Sequence, residues 1–182
     1  LLLLIPAVYL FFAEFQDFKL GERLLASFFQ STTPRTAGFN SVDLNAMTQA
    51  GQVILAILML IGGSPGGTAG GMKTTTLAVM VANARAVFTR SDEAHVFKRR
   101  IPDEAIKNAA TIAMMYIVLC VLSALFVSRV EDCTFVEAAF ETASAVGTVG
   151  LTLGITPGLH TSSKLILSAL MFLGRVGGLT II

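Results

Sequence analysis

The sequence predicts an all-α membrane protein made of tandem, parallel repeats, each a helix, a short re-entrant helix, a polar extended stretch and a second helix. Three observations predict it. Residues are 54% hydrophobic and only 14% charged, against about 25% charged in an ordinary soluble domain, and the mean hydropathy is +0.74. Ala109–Ser128 runs 20 residues without a charge, about the length that crosses a hydrocarbon core. Two short polar stretches, TTPRTAGFN at Thr32–Asn40 and AVGTVGLT at Ala145–Thr152, come into register without a gap on a shift of 112 positions.

In that register Thr36 meets Thr148, Gly38 meets Gly150 and Phe39 meets Leu151, with further identities at Ala26/Ala138, Phe28/Phe140, Gly62/Gly174 and Gly66/Gly178. Apolar matches arise by chance in such sequences; glycines and threonines in register carry more weight.

Taken in order, Leu1–Ala13 is apolar but only 13 residues long, short of the roughly 20 a span needs, and reads as part of a truncated helix. The chain opens without an initiator Met or a basic leader segment and stops within an apolar segment, so a fragment of a longer membrane protein is expected. Charges follow at Glu14, Asp17, Lys19, Glu22 and Arg23. Leu24–Thr32 is long enough for a half-helix only. After the first polar stretch and a linker at Ser41–Thr48, Ala50–Ile61 is apolar, and Leu77–Phe88 is apolar again. Gly-Gly-Ser-Pro-Gly-Gly lies between them. Glycine costs about 1 kcal/mol and proline about 3 in a helix interior, so a broken helix with a loop at membrane depth is expected. Such a loop is tolerated only where it is buried in protein or lines a water-filled cavity. The small-xxx-small glycine spacing of Gly62, Gly66 and Gly70 would otherwise suggest helix contact.

Arg85–Lys107 holds six Lys/Arg, which marks a cytoplasmic side. It reads as a solvated loop, with docking of a cytoplasmic partner as the sharper alternative. Ala109–Ser128 is the cleanest span. The pattern then repeats: a turn at Arg129–Cys133, a short piece Phe135–Ser144, the second polar stretch, a linker with Pro157 and Gly158, and an apolar helix from Lys164 to Ile182.

Several functions are excluded. A net charge of +1 implies no nucleic-acid partner. Cys120 lies in an apolar run, away from Cys133, and His95 and His160 are far apart, so neither a redox pair nor a metal site is suggested. No catalytic triad or paired carboxylates are present. GGTAGGMKTT resembles a phosphate-binding loop, but Met72 separates Gly71 from Lys73 and the preceding segment is helical rather than a strand.

The two polar stretches suit cation coordination. A cation shedding its water needs several oxygens at close quarters, and backbone carbonyls of an extended chain can supply them. Glycine permits the backbone angles and the close approach. The short helix before each stretch ends there with roughly half a negative charge, which favours a cation. Thr36, Ala37, Gly38 and Phe39, with Gly147, Thr148, Val149, Gly150 and Leu151, are therefore the candidate ion filter. Neither stretch holds an acid, and Thr148–Thr152 departs from the potassium-channel TVGYG at its last two positions. Arg35 is expected to pair with a carboxylate or cap the preceding half-helix rather than touch an ion. Lys73 and Arg175 are charges flanking or within membrane segments, functional by default; for Lys73 the alternative is a side chain that snorkels to the interface.

TTPRTAGFN, GGSPGGTAGGMKTTT, VGTVGLT and FLGRVGGLT together resemble the last two of four membrane repeats in the Trk/Ktr/HKT superfamily of potassium transporters, nearest to the membrane subunit of the bacterial Ktr system. The resemblance implies a quasi-fourfold, channel-like pore. Residues 1–88 would be the third repeat, 89–107 a cytoplasmic loop and 108–182 the fourth repeat. It further implies that Gly62–Thr76 is an intramembrane gate, with Gly62, Gly63, Ser64, Pro65, Gly66, Gly67, Thr68, Ala69, Gly70, Gly71 and Lys73 in the loop and Arg175 facing it. Potassium is the implied substrate, with sodium an activating or coupled ion where one is used, and no cofactor resides in the chain. The implied partners are the lipid bilayer, a second copy as a homodimer, and a cytoplasmic ring of nucleotide-binding regulatory subunits. Localisation would be the cell membrane, multi-pass, with the filter loops outside. The competing function is a sodium-coupled secondary transporter with a midplane site on a broken helix.

Overall fold

The computed structural model describes residues 1–67, 69–91, 93–96 and 99–180, with the side chains of 177–180 outside the description. Along the chain come α1 (Leu4–Ala13), α2 (Leu20–Thr32), a 3-10 turn at Leu44–Ala46, α3 (Gln49–Leu60), α4 (Thr74–Phe88), the strands β1 (His95–Val96) and β2 (Arg99–Arg100), α5 (Asp103–Val130), α6 (Phe135–Val146), a second 3-10 turn at Thr156–Gly158, and α7 (Thr161–Thr180).

Local chemistry sets most boundaries. The Thr48 hydroxyl accepts from Gly51 N at 3.2 Å and opens α3. Thr134 and Glu137 form a reciprocal capping box at the start of α6, which satisfies two N–H groups that have no intrahelical partner. Pro102 precedes α5, and Asp103 and Glu104 fall in its first turn, where the helix dipole favours acids. That turn extends α5 to 28 residues, about 42 Å at 1.5 Å per residue. Among the described residues α5 is the helix long and apolar enough to cross a membrane. The expected solvated loop at 89–107 thus gives way to an antiparallel two-stranded hairpin, His95 opposite Arg100, and the start of α5. Lys98 of the basic run lies outside the described residues. The first half-helix also starts earlier than expected, at Leu20.

The helix break falls where the glycines and proline placed it. α3 ends at Leu60 and α4 begins at Thr74. The two ends of the intervening loop are tied by a parallel bridge: Gly62 N donates to Met72 O at 2.8 Å and Met72 N to Leu60 O at 3.1 Å. Gly66 and Gly71 have φ of +83° and +71°, angles that suit glycine. The small-xxx-small spacing therefore marks a loop and not a helix contact.

The short helix α6 is the centre of the molecule. It touches α3, α5 and α7, and eight of its 12 residues are buried. Its Phe140 joins Leu55 and Met59 of α3 in one apolar cluster, while Ala138, Ala145 and Val146 join Tyr116, Val127, Leu167 and Leu170 in a second.

Two carboxylates hold the starts of α3 and α7. Glu14, just past α1, accepts from Thr48 N at 2.9 Å and from the Thr48 hydroxyl at 2.5 Å. Glu131, just past α5, accepts from His160 N at 3.0 Å, His160 Nδ1 at 3.0 Å and the Ser163 hydroxyl. Each places negative charge at a helix N-terminus, where it is stabilising. The Ser163 hydroxyl, then the ring and N–H of His160, hold the Glu131 carboxyl below its ordinary pKa.

Candidate functional site

Both polar stretches leave their half-helices in the same strained conformation. After α2, Ala37 N and Gly38 N both donate to Thr33 O, at 3.1 and 3.2 Å. After α6, Val149 N donates to Ser144 O at 2.9 Å and Gly150 N to the Ser144 hydroxyl at 3.2 Å. Thr36 and Thr148 have φ of +65° and +51°, and Gly38 and Gly150 have +73° and +92°. A threonine in this region costs of order 1–3 kcal/mol and persists only where its surroundings enforce it, which is common at functional sites. The same two positions take positive φ in both stretches, strained at the threonine and freely adopted at the glycine.

The stretches meet backbone to backbone. A Cβ on Gly38 would lie 2.1 Å from Val149 O, so the absence of a side chain lets one polar stretch sit against a carbonyl of the other. Around Gly150 a Cβ would meet nothing within 4 Å. Phe39 and Leu151, in register by sequence, differ: Phe39 is 72% exposed and Leu151 is buried. The Phe39 carbonyl accepts from the Thr33 hydroxyl.

Beneath the threonines lies a cavity of about 470 Å³ lined by Arg35, Thr36, Gly63, Ser64, Gly67, Ala69, Thr148 and Arg175. It joins both stretches, the broken-helix loop and α7, the elements that sequence reasoning grouped as filter and gate. The hydroxyls of Thr36 and Thr148 are buried and have no partner among the described residues. Pro65 and Gly66 occupy an exposed turn of the loop. Thr68 lies outside the described residues.

The loop rests directly on the second stretch. A Cβ on Gly70 would fall 2.3 Å from the Thr148 hydroxyl oxygen, and Gly71 N donates to Gly174 O at 3.3 Å. Gly147 and Gly174 sit against the Met59 and Val146 carbonyls, where Cβ atoms would stand at 2.3 and 1.9 Å. The in-register pair Gly62/Gly174 has one cause at both positions: a Cβ on Gly62 would also meet a carbonyl, that of Gly70, at 1.9 Å. The Gly174 carbonyl accepts a second hydrogen bond, from the Tyr116 hydroxyl at 3.3 Å.

Two charges depart from expectation. Among the described residues Arg35 neither pairs with a carboxylate nor caps its own half-helix. Its guanidinium donates to Gly62 O and to Leu2 O, both at 3.3 Å. Lys73 does not snorkel outward. It is 5% exposed, and its Nζ donates to Ala69 O at 2.7 Å and Gly67 O at 3.2 Å, so its charge is spent on loop carbonyls. Sequence reasoning also missed Glu141, a buried acid on α6 whose carboxylate accepts from Thr152, Leu153 and Thr156. The available signal was a second acid, midway along the half-helix and beyond the capping Glu137.

The TrkH family model, described as a cation transport protein, matches residues 12–182, and the chain belongs to that family. It is 42% identical over 165 residues to the potassium/sodium uptake protein NtpJ of Enterococcus hirae, covering 88% of this chain and 37% of that protein. It is 39% identical over 161 residues to the Ktr system potassium uptake protein B of Bacillus subtilis, covering 88% and 36%. The crystal structure of the potassium transporter TrkH from Vibrio parahaemolyticus shares the fold, with a TM-score of 0.79 at 20% identity over 99% of this chain and 40% of that one. The chain thus spans little more than a third of these relatives.

Proposed function

We propose that the chain supplies two of four units of a potassium-uptake pore in the cell membrane, with the filter at Thr36–Phe39 and Gly147–Leu151 and the gate in the Gly62–Thr76 loop. The observation that carries this is the paired strain at Thr36 and Thr148, each followed two residues on by a glycine of positive φ, with Gly38 seated on the Val149 carbonyl. Strain repeated in register at a backbone-to-backbone contact fits a ring of carbonyls better than two unrelated turns. Relatives named for potassium uptake support the substrate.

The open face of the first unit supports further units. Phe140 is fully buried against α3, yet its in-register partner Phe28 is 53% exposed and lines an apolar groove with Leu25, Phe29 and Val42. A neighbouring unit lying on α2 as α3 lies on α6 would cover it. Residues 1–88 then form the third unit and 108–182 the fourth, with 89–107 cytoplasmic. The loop blocks the cavity beneath the filter, with Lys73 and Arg35 holding its carbonyls and Arg175 on the facing wall. Dimerisation, a cytoplasmic ring of nucleotide-binding regulators and activation or coupling by sodium complete the proposal.

In the full-length protein, Gly150→Ser is expected to lower potassium-over-sodium selection in liposome flux, and shortening the Gly63–Gly71 loop to raise flux. Unchanged selection sinks the filter assignment; unchanged or lower flux from correctly inserted protein sinks the gate. The broken helix α3–α4 favours one rival, a sodium-coupled secondary transporter with a midplane site. A fixed sodium-to-potassium stoichiometry without single-file behaviour would select it.

A further inference from the structure

Glu141 projects from α6, is 4% exposed, and belongs to neither filter stretch. Its Oε1 accepts from the Thr152 hydroxyl at 2.5 Å and Leu153 N at 3.1 Å, and its Oε2 accepts from the Thr156 hydroxyl at 2.7 Å. The Thr152 hydroxyl in turn accepts from Gly154 N at 2.8 Å and lies 2.9 Å from the Thr156 hydroxyl. One hydrogen on each threonine is directed at the carboxylate, and one backbone N–H joins them. A carboxylate can accept all three, and charge-assisted hydrogen bonds of this kind are short and strong.

The position of this network matters. Ser144 of α6 holds Val149 N and Gly150 N from behind, and Glu141, one turn earlier on the same helix, holds the chain immediately beyond Leu151. The strained run Thr148–Leu151 is therefore fixed at both ends from one helix. The first stretch has no such brace. In register, Glu141 becomes Phe29, Thr152 becomes Asn40 and Thr156 becomes Leu44. There the run is tied by the Thr33 hydroxyl to Phe39 O and by Val42 N to the Asn40 side chain at 3.3 Å. The two filter stretches share their backbone strain but are braced by different chemistry.

We infer that Glu141 is a positioning residue for ion selection, fixing the outer end of the second filter stretch by accepting hydrogen bonds from Thr152, Leu153 and Thr156. The inference rests on the filter reading given above. Glutamine keeps an acceptor oxygen for Thr152 and Leu153, and its amide N–H₂ can donate to the Thr156 hydroxyl, which then turns its hydrogen to Thr152. Alanine removes the acceptor of all three donors, and only one threonine hydroxyl can turn to the other instead.

The test uses full-length protein in liposomes and reads the ratio of potassium to sodium flux per inserted molecule. Glu141→Ala is expected to lower the ratio roughly tenfold, the scale set by losing hydrogen bonds to a charged group. Glu141→Gln should recover most of that loss, and Thr152→Val, which removes one hydroxyl at constant shape, should fall in the same direction as Glu141→Ala. A ratio unchanged in Glu141→Ala overturns the inference. So does Glu141→Gln as low as Glu141→Ala, which would make the charge the operative property and not the hydrogen-bond geometry. Should Glu141→Ala fail to insert, an unchanged ratio in Thr152→Val overturns it alone. Gly150→Ser separates the two levels: if it too leaves the ratio unchanged, the filter reading has failed; if it lowers the ratio while Glu141 and Thr152 variants do not, only the brace has failed.

Discussion

Gly38→Ala adds one methyl group at the point where the two polar stretches, the proposed filter, touch. Its Cβ would stand 2.1 Å from Val149 O. Carbon–oxygen contacts settle at about 3.3 Å or more, so one backbone must retreat by roughly 1 Å. The native φ of +73° adds about 1–2 kcal/mol of conformational cost for any residue with a Cβ. Neither neighbour can yield freely, because Gly38 N is bonded to Thr33 O and Val149 N to Ser144 O. Binding constellations need their atoms held within about 0.5 Å, so a 1 Å shift of a filter carbonyl is expected to reduce potassium-over-sodium selection at least tenfold. Paired measurements check this: flux ratio in liposomes, and thermal unfolding in detergent, where a loss of several degrees is expected. A variant with native selection and native thermal stability would refute the contact between Gly38 and Val149 O, and with it the reason for glycine at this position.

Three further perturbations bear on the loop and its supports. Lys73→Met removes the donor to Gly67 O and Ala69 O, hydrogen bonds to a charged group being of order 1.5–3 kcal/mol, and is expected to speed amide exchange across Gly62–Gly71; exchange at the native rate would show that Lys73 does not hold the loop. Tyr116→Phe removes only the long hydrogen bond to Gly174 O and should lower stability by about 0.5–1.5 kcal/mol, read by denaturant unfolding, with the fold intact. Glu131 titrates below its ordinary value in the folded chain because Ser163 and His160 donate to it. The unfolded state therefore binds more protons in the window between the depressed pKa and the ordinary carboxylate value of about 4.3. Its contribution is fully present above that ordinary value and is lost as pH falls through the depressed one, so Glu131→Gln should flatten the acid limb of a stability profile.

Much of this arrangement was legible in the sequence because its causes are local or in register. Gly-Gly-Ser-Pro-Gly-Gly cannot continue a helix, and α3 stops where it begins. The pairing of the two polar stretches follows from a single gapless shift, and the positive φ of their threonines and glycines obeys it. Interactions outside that register were not legible. Glu14 and Glu131 do the same work on Thr48 and His160, which are 112 positions apart, but the two acids are 117 apart, so the alignment that pairs the helices hides the carboxylates. Arg35 finds its acceptors at Gly62 and Leu2, partners that only the tertiary fold brings near. Glu141 has no counterpart in the first unit, and comparison of the units could not single it out. The early start of α2 at Leu20 was missed because Gly21, Glu22 and Arg23 read as a polar connection, whereas the helix leaves Gly21 and Glu22 exposed and turns Arg23 onto Phe11, whose carbonyl accepts from its Nε at 2.6 Å.

Gly174 meets three other segments within a hydrogen bond or a carbon contact: Gly71 of the loop, Tyr116 of α5 and the Val146 carbonyl that ends α6. Mechanically this makes it a junction. A displacement of α7 along its axis would lengthen the hydrogen bond from Gly71 and alter the contact with the Val146 carbonyl, so the loop and the end of α6 both register the position of α7 through one residue.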